Sequence, residues 1–118
     1  MQKLIDEFKE NIGKLDNVER VVFATYDGLP ITGVGVSEEE VSVIAAFLSK
    51  YRESIVELSG QAADSEFQIG YYLTKDGFMV IALLGEEAVL QVVAKSRKNT
   101  GIVLREVQRL RDKYNNRK

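Results

Sequence analysis

Apolar residues recur at helical spacing at the start of the chain. Leu4, Phe8, Ile12 and Leu15 share one narrow stripe of residues 2–15, which predicts an amphipathic helix broken by Asp16-Asn17. Residues 18–26 are rich in β-branched and aromatic types and read as a strand. Asp27-Gly28 is a hairpin-type turn pair, and residues 29–34 return as a second strand. Pro30 sits early in that strand and has no N–H for a ladder bond, which places the strand at a sheet edge. Ser37-Glu38-Glu39-Glu40 is a capping box opening a helix over residues 38–59, with Gly60 as its expected end. A short polar linker, 61–65, precedes strands at 66–74, 78–84 and 88–94, separated by Lys75-Asp76-Gly77 and Gly85-Glu86-Glu87. The loop 95–99 leads into a last helix over 100–114, on which Val103, Val107, Leu110 and Tyr114 align.

The order α-β-β-α-β-β-β-α predicts an α/β (α+β) domain spanning 1–118, with a five-stranded, mostly antiparallel sheet. Strands 78–84 and 88–94 are apolar at successive positions, so both sheet faces need cover. The central helix takes one face and the two terminal helices the other, giving three layers. The third of the five strands is expected at the sheet's other edge.

Placed on a wheel at 100° per residue, the central helix shows an apolar arc of about 220°, more than a helix needs to cover its own core. Val41, Ile44, Ala45, Leu48, Tyr51, Ile55, Val56 and Leu58 form the band, with Val43 and Phe47 extending it. One sector can pack on the sheet. The remainder calls for a partner, and a second copy of the same helix uses one patch twice. The strand at 66–74 can pair with its mate to join two sheets.

Composition narrows the chemistry. The chain has no cysteine and no histidine, which removes thiolate nucleophiles, disulfides, the usual general base and the usual transition-metal ligand. Glu38, Glu39 and Glu40 diverge around a helix and cannot converge on one ion. Gly33-Val34-Gly35 lacks the third glycine of a dinucleotide loop, since Glu38 stands there, and no phosphate-binding GxxxxGK[ST] loop is present. No catalytic residue, cofactor or metal is therefore expected. Arg52 lies mid-helix, a poor position from which to reach a partner's nucleotide.

Net charge is −2 but unevenly spread: residues 95–118 hold nine Lys/Arg against two acids, and the first 94 hold seven against sixteen. The basic segment reads as a solvated helix surface suited to its dipole, and Lys95, Arg97 and Lys98 as an exposed loop. An acidic chain weighs against nucleic-acid binding. The longest apolar run, 78–84, is strand-sized, and acids at the N-terminus do not fit a signal peptide. No direct membrane insertion and a cytoplasmic location are expected.

Several segments, in order, resemble the Roadblock/dynein light chain superfamily, and its MglB-type prokaryotic members in particular. These are Leu15-Asp16-Asn17-Val18, the stretch Val21-Val22-Phe23-Ala24-Thr25-Tyr26-Asp27-Gly28-Leu29-Pro30-Ile31, the acidic start Glu38-Glu39-Glu40, the pair Ala45-Ala46, and Gly101 opening the last helix. The resemblance covers nearly the whole chain. It implies a profilin-like fold, a homodimer through the central helix and third strand, and a Ras-like small GTPase as partner. In MglB-type members the implied effect is faster GTP hydrolysis without an inserted arginine. Relatives that act as passive scaffolds of motor or signalling assemblies supply the alternative. Carried onto this chain, the resemblance marks Val41, Ile44, Ala45, Phe47, Leu48, Tyr51 and Ile55 on the helix and Phe67, Ile69 and Tyr71 on the strand as interface residues.

Overall fold

The computed structural model describes residues 1–63 and 68–116. Its elements are α1 (Gln2–Gly13), β1 (Val18–Thr25), β2 (Pro30–Val34), α2 (Glu38–Ala63), β3 (Ile69–Leu73), β4 (Phe78–Leu84), β5 (Ala88–Ala94) and α3 (Thr100–Asn116). The five strands form one sheet in the order β2-β1-β5-β4-β3, and every neighbouring pair is antiparallel. The expected element order and sheet type hold, and β2 and β3 are the two edges.

Alternation sorts the strand residues into two cores. Val21 and Phe23 of β1 join Phe78, Val80, Leu84, Leu90 and Val92 under α1 and α3, where Phe8 meets Phe23 edge-on at 5.8 Å. Val22 and Ala24 face the other way, with Ile81, Leu83 and Val89, under Val41, Ala45 and Leu48 of α2. Both faces are covered, which is why these strands read as continuous apolar runs.

Two boundaries differ from expectation by more than two residues. Helix α2 runs through Gly60 to Ala63 instead of stopping at the glycine. Glycine ends a helix when it adopts the left-handed conformation, and Gly60 is not among the residues with positive φ. Gln61, Ala62 and Ala63 then continue with good helix formers. The third strand starts at Ile69. The expected Glu66 and Phe67 lie outside the described residues.

The capping box forms as expected. The Ser37 amide donates to Glu40 Oε1 and the Glu40 amide to Ser37 Oγ, each at 3.2 Å. These bonds hold the Glu40 carboxyl below its usual range, the backbone bond at Ser37 being the largest cause. A depressed carboxyl contributes stability that is present above its unfolded pKa and lost as pH falls through its folded one. The melting temperature should therefore decline in acid, and Ser37→Ala should cost about 1 kcal/mol of stability at neutral pH and blunt that decline. Thermal melts at several pH values check both.

Candidate docking surface

Helix α2 divides its apolar arc between two tasks. Val41, Ala45 and Leu48 are 7%, 0% and 3% exposed, packed on the sheet of their own subunit. Ile44, Tyr51 and Val56 are partly buried on the rim of that core, and Ile55 is half-buried. Val43, Phe47 and Leu58 remain 57%, 65% and 60% exposed. Spacings of four and eleven residues bring these three within about 60° of one another, a single stripe along a helix about 39 Å long. The stripe is interrupted by the exposed Ser54 and bordered on one side by Lys50 and Glu57, and it is the candidate docking surface of the helix.

Strand β3 lies beside the same flank. The Tyr51 ring meets the Tyr72 ring edge-on at 6.1 Å, and the two hydroxyls are in hydrogen-bond contact. Burial and the Tyr72 hydroxyl push the Tyr51 phenol up, so it stays protonated at any ordinary pH. Gly70 makes room for this pair: a Cβ there would lie 2.6 Å from the Tyr72 hydroxyl and 2.9 Å from that of Tyr51. Ile69 packs partly on the α1–α3 core. Tyr71 leans on Phe78 with ring centroids 5.6 Å apart, 41% exposed, and Leu73 is 62% exposed. Among the described residues β3 pairs only with β4, so its outer backbone edge is open.

Of the expected interface positions, the structure thus places Val41, Ala45 and Leu48 in the core of the subunit. It sets Ile44, Phe47, Tyr51 and Ile55 along the outer flank of α2, whereas Ile69 and Tyr71 project from the β3 edge on the opposite, α1–α3 face of the sheet. Phe67 lies outside the described residues. Leu73 was not singled out from the sequence. Its place at the end of an edge strand, on the alternation that includes Ile69 and Tyr71, was the available signal.

Other candidate groups have structural duties. Arg52 lays its guanidinium 3.9 Å from the centroid of the Tyr26 ring, and the Tyr26 hydroxyl donates to the Gly85 carbonyl. That stack holds Arg52 against its own subunit. Arg97 donates to the Thr74 carbonyl at 3.0 Å and the Gly77 carbonyl at 3.4 Å, and Lys98 faces Asp16 at 3.7 Å. The basic loop therefore braces the β3–β4 turn. Arg111, 8% exposed, donates to the Leu83 carbonyl at 3.0 Å and to the Gln68 side chain. No group of three or more acids among the described residues can hold a metal, and none of their helices is long and apolar enough to cross a membrane.

No protein-family model and no curated protein matches the chain. Solved structures do. A Roadblock/LC7 domain from Streptomyces avermitilis superposes with a TM-score of 0.80 at 14% identity, covering 98% of this chain and 94% of that one. MglB of Myxococcus xanthus gives 0.78 at 16% identity, with 93% and 87% covered. A structure described as MglB with tetrameric arrangement gives 0.75 at 13%, with 96% and 83% covered. What is shared at such identities is the path of the backbone, and it is shared over almost the full length: the chain has the fold of Roadblock/LC7 domains, MglB among them.

Proposed function

We propose that this domain is a non-catalytic, two-fold dimeric docking module that regulates a Ras-like small GTPase. The observation that carries the reading is the exposed stripe of Val43, Phe47 and Leu58 running beside the open edge of β3. A two-fold axis beside that edge sets α2 against its mate and pairs β3 with β3, removing the apolar surface and the bare edge in one step. The seam then comprises Val43, Ile44, Phe47, Tyr51, Ile55 and Leu58 of α2 with the backbone of β3 and, on the opposite face of the sheet, the side chains of Ile69 and Tyr71. A helix of 26 residues with a strand beside it is long enough for a standard interface.

The outward faces of the paired helices form the platform on which the GTPase sits. The sequence resemblance to MglB-type proteins supports a Ras-like partner, and the tetrameric arrangement of one MglB structure with this fold supports assembly beyond one chain. The stimulation of hydrolysis runs through the GTPase's own switch regions, because Arg52 is held on Tyr26 and supplies no finger. Regulation requires different affinities for the two nucleotide states.

Single-turnover GTP hydrolysis by the cognate GTPase, with and without this protein, tests the reading. Faster turnover together with tighter binding to one nucleotide state is the expected result. Equal affinity for the GTP-bound and GDP-bound forms with unchanged turnover leaves a tether, and overturns regulation.

A further inference from the structure

The edge of the sheet opposite β3 is also open. Among the described residues β2 pairs only with β1, through Val21↔Val34, Val22↔Gly33, Phe23↔Thr32 and Ala24↔Pro30. Its five residues are half-exposed or exposed throughout, and it is flanked by exposed apolar side chains, Leu29 at 59% and Val34 at 42%. Beside it, toward the first turns of α2, lies a cleft of about 460 Å³ lined by Pro30, Thr32, Gly33, Val36, Glu38 and Val41 among others. Gly33 fixes the shape of this cleft. A Cβ there would come within 2.5 Å of Val41 and 2.8 Å of Val36, so the bare backbone lets α2 seat closely and leaves those two valines as an apolar wall.

The charges at this edge are also ordered. Glu38 lines the cleft on the α2 side, is exposed, and makes no ion pair with a described residue. On the opposite, α1 side, the Lys9 ammonium donates to Thr32 Oγ1 at 3.2 Å. A strand laid along β2 would send alternate side chains to these two sides. A cation is favoured toward α2, beside Glu38, whereas on the α1 side Lys9 and the exposed Glu19 line one depression with Val34 and oppose each other in charge.

We infer that the β2 edge is a second docking surface, which takes an extended peptide segment of a partner protein by strand addition. The segment carries an apolar residue and a lysine or arginine on the face toward α2, and uncharged residues on the face toward α1. Main-chain bonds to residues 31–34 give the affinity, while the Val36–Val41 wall and the Glu38 carboxylate give the preference. Pro30 cannot donate, and the ladder is irregular between Phe23 and Ala24, so pairing stops at the β2 start and the edge does not extend without limit. The surface lies at the far edge from the α2–β3 seam. A dimer would therefore carry it at both ends of the joined sheet, and a monomer would carry it equally.

The probe is a blocked hexapeptide, Thr-Lys-Thr-Val-Thr-Val, whose antiparallel pairing brings its lysine to the Val34 end of β2, beside Glu38. Controls are the same peptide with glutamate for lysine and one N-methylated on alternate amides. Amide shifts and hydrogen exchange of the intact protein are followed by NMR during titration. The expected result is perturbation and slowed exchange centred on Ile31, Thr32, Gly33 and Val34. Glu38→Gln and the glutamate peptide should each weaken binding by about two- to fivefold or more, as an exposed ion pair would. A β2 that is silent at millimolar peptide, or that answers the N-methylated peptide equally, overturns the inference. So does a response confined to α2 and β3. None of these outcomes bears on whether the protein dimerises.

Discussion

Phe47→Asp is expected to convert the dimer to a monomer while the subunit keeps its fold. Among the described residues Phe47 is the most exposed of the large apolar side chains, at 65%, and it lies on the stripe assigned to the seam. Burying a phenylalanine from water is worth about 1.5–3 kcal/mol, and a two-fold interface buries two of them. Their loss alone raises the dimer dissociation constant by about a hundredfold or more, and two carboxylates brought into the seam add to that. Within one subunit the change costs little, because surface substitutions stay near ±0.5 kcal/mol. Sedimentation equilibrium should report one-chain mass for the variant. Its far-ultraviolet circular dichroism should match the parent, and its melting temperature should cease to depend on concentration, since linkage to association has been removed. By contrast, Ala45→Asp should unfold the subunit, because Ala45 is fully buried between α2 and the sheet. The contrast between positions two residues apart on one helix separates a seam from a core.

Asn17→Ala should destabilise the subunit by about 2–4 kcal/mol, a large share of the roughly 5–15 kcal/mol available to a domain. Asn17 is 2% exposed and sits where α1 turns into β1. Its amide donates to the carbonyls of Ser96 at 3.1 Å and Lys98 at 2.7 Å, and its carbonyl accepts from Asn99 at 2.8 Å. The side chain thereby locks the β5–α3 loop, in which Asn99 holds the left-handed conformation at φ 61. Alanine leaves two carbonyls and one amide without these partners. Aspartate should be worse, because it loses both donors and sets a carboxylate against two carbonyls. Urea unfolding should show a lower midpoint with an unchanged slope. An unchanged midpoint would mean that water replaces the amide at no cost.

Much of this architecture was legible in local pattern. The capping box at Ser37, the turn at Asp27-Gly28, the edge position implied by Pro30 and the doubly apolar strands depend on neighbours a few residues apart, and the structure keeps all of them. The division of the α2 arc was not legible. Val41 and Ile44 are equally apolar and adjacent on the wheel, yet the first is core and the second is rim. That depends on where the helix axis sits over the sheet, a tertiary fact that periodicity does not carry. Gly60 misled because glycine lowers helix propensity without forbidding helix. Asn17, Arg97 and Arg111 gave no signal because their partners lie tens of residues away in sequence. Asn17 in particular reads as a helix breaker and is also a latch. The Tyr51–Tyr72 contact joins two elements 21 residues apart in sequence and needs Gly70 to be bare, a three-residue condition that no linear window contains.

The dimer itself rests on whether the stripe of Val43, Phe47 and Leu58 is wet in solution. Light-scattering mass of the purified parent chain, read across a dilution series, answers that directly. A mass of two chains that persists into the micromolar range is the result required. One chain at every concentration would mean that water, and not a second subunit, covers the α2 flank.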